Sequence, residues 1–363
     1  MSDPRRLNVL ALVPYPLATA PGQRYRIEQW APYLGEAGID VHFEPFASEE
    51  LGRALYATGH YLSKARLMSR AWLDAIERAW RASEFDVVFL YREAALIGPA
   101  LLERVVHWRN AKLVYDFDDA IWQRYTSPRN RYFSYLKAPG KTRTLSRLAA
   151  AVVVGNEHLA QFARRYNPSV TIVPSTVSLR EYRPAPSGAK PSEQIIGWTG
   201  SHSSVQYLRL VEGALQTLAR RRRFRLRVIG VDDYAIPGVE VECRPWRAET
   251  EVEDLWPLAV GIMPLTDDPW TAGKCSMKAI QYLGVGVPAV VSPVGSNREV
   301  VEDGVTGLHA DSEQQWVQAL ERCLDDEGLR SRLGAAGRAA VAARYSAEAQ
   351  APRLGSLFRS IAE

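Results

Sequence analysis

Cysteine is scarce in this chain: three in 363 residues, at Cys243, Cys275 and Cys323, too few and too scattered for a disulfide framework or a zinc cluster. That scarcity points to a reducing compartment and implies no structural metal. Long hydrophobic runs are lacking too, since no apolar stretch approaches the roughly 18 residues that a membrane span needs. Arg5 and Arg6 precede the apolar run Leu7–Val13 in the manner of a signal peptide, but the run stops at Pro14 with no small-residue cleavage site, and it reads as a first buried strand. A cytoplasmic location is expected, with membrane contact only at the surface of the inner face. No sign of charge dominates: 45 Lys/Arg stand against 41 Asp/Glu. With 47% hydrophobic, 24% charged and 10% aromatic residues, the composition excludes a disordered tail, a collagen-like repeat and a coiled-coil rod.

What is present is length enough for two cores, at roughly 100 to 200 residues per domain. Short apolar runs at 7–13, 87–91, 112–116, 151–154 and 171–173 alternate with segments of helical periodicity, and runs at 194–198, 225–229, 239–243, 260–264 and 289–292 repeat the pattern. Such alternation predicts parallel sheets with crossover helices, hence an α/β chain of two Rossmann-like domains. Three prolines and a glycine within 182–191 cannot continue a helix or a central strand, which places a linker at 181–191 between domains at 1–180 and 192–345. A last helix is expected over 346–363, with Ser346 at its start and Glu348 in its first turn. Ligands of open α/β sheets sit outside the carboxyl ends of the strands, so the facing cleft is the expected site. The small net charge conceals an asymmetry: residues 1–180 hold 24 Lys/Arg and 17 Asp/Glu, the remainder 21 and 24.

The segment 269–295 carries the most chemical information. Gly273 is expected to free the backbone before a helix, turning the amides of Lys274, Cys275 and Ser276 outward as donors suited to a phosphate. Lys274, Lys278 and Gln281 follow at spacings of four and three on one polar stripe, with Ile280 and Leu283 on the core side. A solvated helix face behind a glycine loop fits the same spacing. In the first half, Asp116, Asp118 and Asp119 cluster where a buried strand opens into a loop, a costly grouping without a role. Arg24 and Arg26 follow the Pro21–Gly22 loop and are expected to face the cleft, unless they are ordinary surface arginines. Between 120 and 156 there are seven Lys/Arg and no acid, interleaved with aromatics, which suits an anionic acceptor or an anionic membrane surface. No nucleic-acid-binding motif accompanies them.

The run from Lys278 to Gly307, KAIQYLGVGVPAVVSPVGSNREVVEDGVTG, resembles the donor-site core of family 4 retaining glycosyltransferases. The likeness extends more weakly to the Pro21–Gly22 loop, the Val173–Pro174 exit from the first domain and the closing helix, which in that family crosses back onto the first domain. It implies the GT-B fold, with the nucleotide-diphosphate sugar held mainly by the second domain, and neither metal nor other cofactor. Two glutamates of the family, eight positions apart, contact the donor sugar and the ribose. Here the matching positions are Gly273 and Gln281, a degenerate pair in which Gln281 retains hydrogen bonds for ribose hydroxyls. The family's Arg and Lys near the first strand of the second domain have no counterpart in 197–204. Lys274, with Lys278, is then expected to carry the charge that stabilises the leaving diphosphate, with the Gly200 and Ser201 amides as further donors. Trp246 falls where such folds place the base, and His202 near the phosphate or sugar; their plainer readings are a core aromatic and an incidental loop histidine. Cys275 at a helix start has no neighbour that would make it a nucleophile. Asp118 stands where the family commonly has a histidine.

The resemblance implies transfer of a sugar to a hydroxyl acceptor, whether glycan, lipid-linked or anionic, with retention at the anomeric carbon. A nucleotide-sugar-binding protein with little catalysis is the alternative that the missing glutamates raise. An Asp-x-Asp enzyme using Mg or Mn through Asp116 and Asp118 is a further one.

Overall fold

The computed structural model describes residues 5–56, 61–123, 140–186 and 194–363. The chain divides into two compact units, one formed by Met1–Ser175 with Gln350–Glu363, the other by Thr176–Ala349. The division falls before the segment read as a linker. Tyr182 explains why: its side chain is fully buried and its hydroxyl accepts a 3.0 Å hydrogen bond from Gln281, so this part of the proline-rich stretch is core of the second unit.

The first unit is built on a parallel sheet of β1 (Leu7–Val13), β2 (Ile39–Pro45), β3 (Val87–Tyr91), β4 (Leu113–Phe117), β5 (Ala151–Val154) and β6 (Val170–Ile172), in the order β2-β1-β3-β4-β5-β6. Every residue of β3, β4 and β5 is buried, as expected for strands covered on both faces, whereas in the edge strand β2 only Ile39 is fully buried. The edge position is why β2 escaped the sequence reading: Asp40, His42 and Glu44 interrupt its apolar residues. Because β1 is flanked by β2 on one side and β3 on the other, the strand order reverses between β1 and β3. The carboxyl ends of these two strands frame a crevice. The closing helix, Ala347–Ala362, begins at Ser346, whose hydroxyl accepts the Ala349 amide. Its Phe358 ring meets Phe89 of β3 at 5.9 Å, edge on.

The second unit repeats the architecture with β7 (Ile195–Thr199), β8 (Arg225–Ile229), β9 (Glu240–Arg244), β10 (Val260–Met263), β11 (Ala289–Val291) and β12 (Gly307–His309), ordered β12-β11-β10-β7-β8-β9 and parallel throughout. Its reversal lies between β7 and β10. The core packs Trp198, Leu226, Val228 and Ile262 of the sheet against Leu215, Leu218, Trp316 and Leu320 of flanking helices. Gly197 and Gly261 admit neighbours that a methyl group would strike, since a Cβ at Gly261 would stand 2.2 Å from the Tyr282 ring. Among the described residues no helix is long and apolar enough to cross a membrane.

Candidate functional site

At the β7/β10 reversal the second unit gathers most of the residues expected to hold a donor. Asp268 opens the helix Pro269–Ala272 with a capping box: its Oδ1 accepts the Trp270 and Thr271 amides, each at 2.9 Å. Burial pushes the Asp268 carboxyl up, but these bonds and the Thr266 hydroxyl outweigh it and hold its pKa below the ordinary value. Gly273 then continues in ordinary helical geometry, φ −76°, and its backbone is buried. The residue that turns the chain is Ser276, at φ 54° in the left-handed region, a strain of about 1–3 kcal/mol for a non-glycine residue. Its hydroxyl donates to Asn297 Oδ1 at 2.7 Å, which fixes the turn, and the helix Met277–Gly284 starts directly after it.

This removes Lys274 from the expected amide cradle. The Lys274 amide is committed to the Thr271 carbonyl (3.0 Å), and the Cys275 thiol is buried with its Sγ 3.9 Å from the Gly273 carbonyl oxygen. The helix's first-turn amides, from Met277 onward, have no partner within the helix. The two lysines lie over aromatic faces: Lys274 Nζ is 5.4 Å from the Trp270 ring centroid, Lys278 Nζ 5.2 Å from that of Trp198 on β7. Each ring steers its ammonium by attraction to the aromatic face.

One turn further, Gln281 is buried. Its Nε2 donates to the Tyr182 hydroxyl at 3.0 Å and to Glu251 Oε1 at 3.3 Å, and the same Glu251 oxygen accepts Trp246 Nε1 at 3.0 Å. A carboxylate is thus present beside Gln281 after all, brought by Glu251 from the segment after β9. The sequence hid it, because Glu249, Glu251 and Glu253 look like a solvated acidic run. Tyr182 was hidden inside the proline-rich stretch. Trp246 is half-buried in this network.

The loop after β7 holds itself together. The Gly200 amide donates to the Ile229 carbonyl at 2.9 Å and the Ser201 amide to the Ser204 hydroxyl at 3.1 Å, so neither is the outward donor the sequence suggested. A Cβ on Gly200 would meet the Trp198 ring at 2.4 Å; one on Gly230, at φ +92°, would meet the Gly200 carbonyl at 1.9 Å. The two glycines let the β7 and β8 ends close on each other. His202 is exposed on this loop.

In the first unit the structure parts the residues that the sequence grouped. Arg26 and Asp116 are both fully buried and paired with each other, Arg26 Nε donating to Asp116 Oδ2 at 3.0 Å and Nη2 to Oδ1, while Nη1 bonds the Val173 carbonyl. Neither faces solvent, contrary to the expectation for both. Burial raises the Asp116 carboxyl to about 6 in spite of Arg26. Arg24 is also largely buried, its guanidinium 5.9 Å from the Tyr25 ring centroid.

Asp118 and Asp119 belong to a different cluster, organised by a residue the sequence reading passed over. Arg92, directly after β3, has φ 58°. Its Nε and Nη2 donate to Asp118 Oδ1 at 2.9 and 2.6 Å, and Nη2 also to Asp119 Oδ2 at 2.7 Å. The Tyr91 hydroxyl donates to the same Asp118 oxygen at 3.1 Å. Gly22, after β1, covers this cluster so closely that a Cβ would stand 2.6 Å from the Tyr91 hydroxyl. Asp116 and Asp118 therefore serve different guanidiniums and do not share one ligand set. Of the seven cations between 120 and 156, Arg124, Arg129, Arg131 and Lys137 lie outside the described residues. Lys141 is buried against Glu103 at 2.7 Å, and Arg147 stacks on Tyr166.

Residues 193–326 match the family described as Glycosyl transferases group 1. D-inositol 3-phosphate glycosyltransferase of Segniliparus rotundus is 27% identical over 239 residues, covering 59% of this chain and 52% of that protein. The chain spans about half the length of the curated relatives it matches. Among solved structures, sucrose-phosphate synthase from Thermosynechococcus elongatus superposes with a TM-score of 0.69 at 16% identity, covering 98% of this chain and 99% of that one. Anabaena HepE, solved with UDP and glucose, does so at 0.65 and 14%, covering 98% and 100%. Two parallel-sheet α/β domains of this kind are the fold of GT-B glycosyltransferase structures.

Proposed function

We propose that the chain is a glycosyltransferase that moves a sugar from a nucleotide-diphosphate donor to a hydroxyl of an acceptor, with retention at the anomeric carbon and without a metal. The observation that carries this reading is the grouping on the helix Met277–Gly284 of Lys278, over Trp198 of β7, and Gln281, bonded to Glu251, with Lys274 three residues before that helix. In transfer the bond from the anomeric carbon to the β-phosphate oxygen breaks, a bond to the acceptor oxygen forms, and the acceptor's proton leaves with the diphosphate. Negative charge grows on that diphosphate, where Lys274, with Lys278 behind it and the first-turn amides of the Met277–Gly284 helix, stabilises it more in the transition state than in the bound donor. Gln281 and the Glu251 carboxylate hold the ribose hydroxyls, and Trp246 lies toward the base. A UDP-sugar is the first donor to test, since HepE was solved with UDP and glucose.

In the first unit, Asp118 is the group assigned to the acceptor hydroxyl. Arg92 and Tyr91 donate to its Oδ1 and fix the carboxylate under Gly22. A glycan, a lipid-linked or an anionic acceptor all present such a hydroxyl. The absence of any side chain at Gly273, where related enzymes contact the donor sugar, favours a second reading as a nucleotide-sugar-binding protein with slow turnover. A thermal-shift screen of nucleotide sugars with EDTA present tests the donor site. A UDP-sugar that raises the melting temperature of the native chain, and fails to do so for Lys274→Ala, is the expected result. Stabilisation by no nucleotide sugar, or only once Mg or Mn is added, would contradict it.

A further inference from the structure

The helix Tyr61–Arg81 is amphipathic the wrong way round for a helix that only packs on its own unit. Toward the protein it buries alanines, Ala71, Ala75 and Ala79, at 7%, 7% and 2% exposure. On the opposite side Leu62, Leu73, Ile76 and Trp80 stand 89%, 68%, 42% and 47% exposed. With Arg66 and Ser69 these residues recur at alternating spacings of four and three, the narrow stripe of a helix made to seat against one other helix. The neighbouring helix Leu101–Arg109 continues the patch with Trp108, 70% exposed, whose ring meets that of Trp80 at 5.4 Å.

We propose that this face joins two copies of the chain in a symmetric dimer, with the Tyr61–Arg81 helices antiparallel. The charges on and beside the stripe select that partner. Arg66 and Arg70 occupy the first half of the helix, Asp74 and Glu77 the second, and all four are exposed without an ion pair among the described residues. An antiparallel copy placed with Leu62 opposite Trp80 also sets Ser69 opposite Leu73 and Arg66 opposite Ile76. In that register Arg66 comes within one residue of the other copy's Glu77, about 1.5 Å along the axis, and Arg70 within two of its Asp74, about 3 Å. The Arg66 stem covers Ile76 while its head reaches the carboxylate. The two-fold repeats each pair, so the arrangement closes on itself and exposes no second copy of the patch. A bilayer fits less well, because Asp74 and Glu77 would be pressed to the lipid surface beside the very residues that insert.

Sedimentation velocity across the micromolar range tests this. The native chain is expected to approach twice 40.5 kDa. Leu73→Glu with Ile76→Glu, at exposed positions, is expected to leave circular dichroism and melting temperature unchanged while weakening the dimer by about 100-fold or more. Arg66→Glu and Glu77→Arg, each creating two like-charge contacts, are each expected to weaken it roughly tenfold, and together to restore it to within about threefold. A chain monomeric throughout, a dimer indifferent to Leu73→Glu/Ile76→Glu, or charge reversals that add rather than compensate would overturn the proposal. A monomer that sediments with phosphatidylglycerol vesicles and loses them on the Leu73/Ile76 change would assign the face to lipid instead.

Discussion

Replacing Arg26 by Met tests whether the first unit's arginines are scaffold or substrate-facing. Arg26 supplies two hydrogen bonds to the fully buried Asp116 and one to the Val173 carbonyl, and its guanidinium lies 5.1 Å from the Trp30 ring centroid. Removing one partner of a buried pair strands the other charge, at a cost of about 3–5 kcal/mol. For a unit of roughly 150–250 residues each kcal/mol moves the melting temperature by about 2–4 °C, so the first unit should melt roughly 10 °C lower. The apolar double change Arg26→Met/Asp116→Leu should recover most of that loss, because no charge is left behind. The deficit of the single variant should also depend on pH with a definite sign. Asp116 already titrates near 6 in the folded chain, above the ~3.9 of an unfolded aspartate. A group raised in the folded state gives its full stability below the unfolded pKa and loses it as pH rises through the folded one. Without Arg26 the folded pKa climbs further, and the variant should regain stability relative to the native chain as pH is lowered from 8 toward 5. Thermal unfolding followed by tryptophan fluorescence at several pH values measures both effects. An Arg26→Met protein with the native melting temperature, defective only in transfer, would refute the scaffold assignment.

Lys274→Ala should weaken UDP-sugar binding by about tenfold or more in titration calorimetry and Lys278→Ala by severalfold less; equal, small losses would remove both from the diphosphate. Gln281→Glu places a second carboxylate 3.3 Å from Glu251 Oε1 in a buried site, so it should destabilise the second unit by about 1–3 kcal/mol at pH 8. That loss should shrink as the pair takes up a proton on acidification, and Gln281→Glu/Glu251→Gln should melt near the native temperature. Gly22→Ala must push the Tyr91 hydroxyl, 2.6 Å from the new methyl, off Asp118; turnover should fall while donor affinity is unchanged.

The sheets were legible wherever strands are covered on both faces, because burial there leaves unbroken runs such as VVFLY in β3 and AVVV in β5. The edge strand β2 was not, since all of its residues but Ile39 are at least partly exposed, nor was three-residue β12. Lys278 and Gln281 share the helix that spacing predicts, whereas Lys274 lies before its left-handed start at Ser276 and off the expected stripe. Their partners could not be read from spacing, because Glu251, Tyr182 and Trp198 arrive from distant segments and only the fold makes them neighbours. The backbone device was also misplaced: Gly273 was expected to free the backbone before the helix, yet the left-handed residue there is Ser276, supported by a hydroxyl contact to Asn297, 21 residues on. Arg26 and Asp116 misled for the same reason, as a buried ion pair and a solvent-facing one look alike in sequence.

The proposed site at Lys274 and Gln281 is expected to deliver a sugar rather than merely bind a nucleotide. The direct measurement is nucleoside diphosphate released from UDP-sugars in the presence of EDTA, with and without a panel of hydroxyl acceptors, using anomeric proton couplings to assign the product. Acceptor-dependent release, an axial product from an axial donor, and loss of both with Lys274→Ala are expected. Tight donor binding with no acceptor-dependent release, or an inverted product, would contradict the proposal.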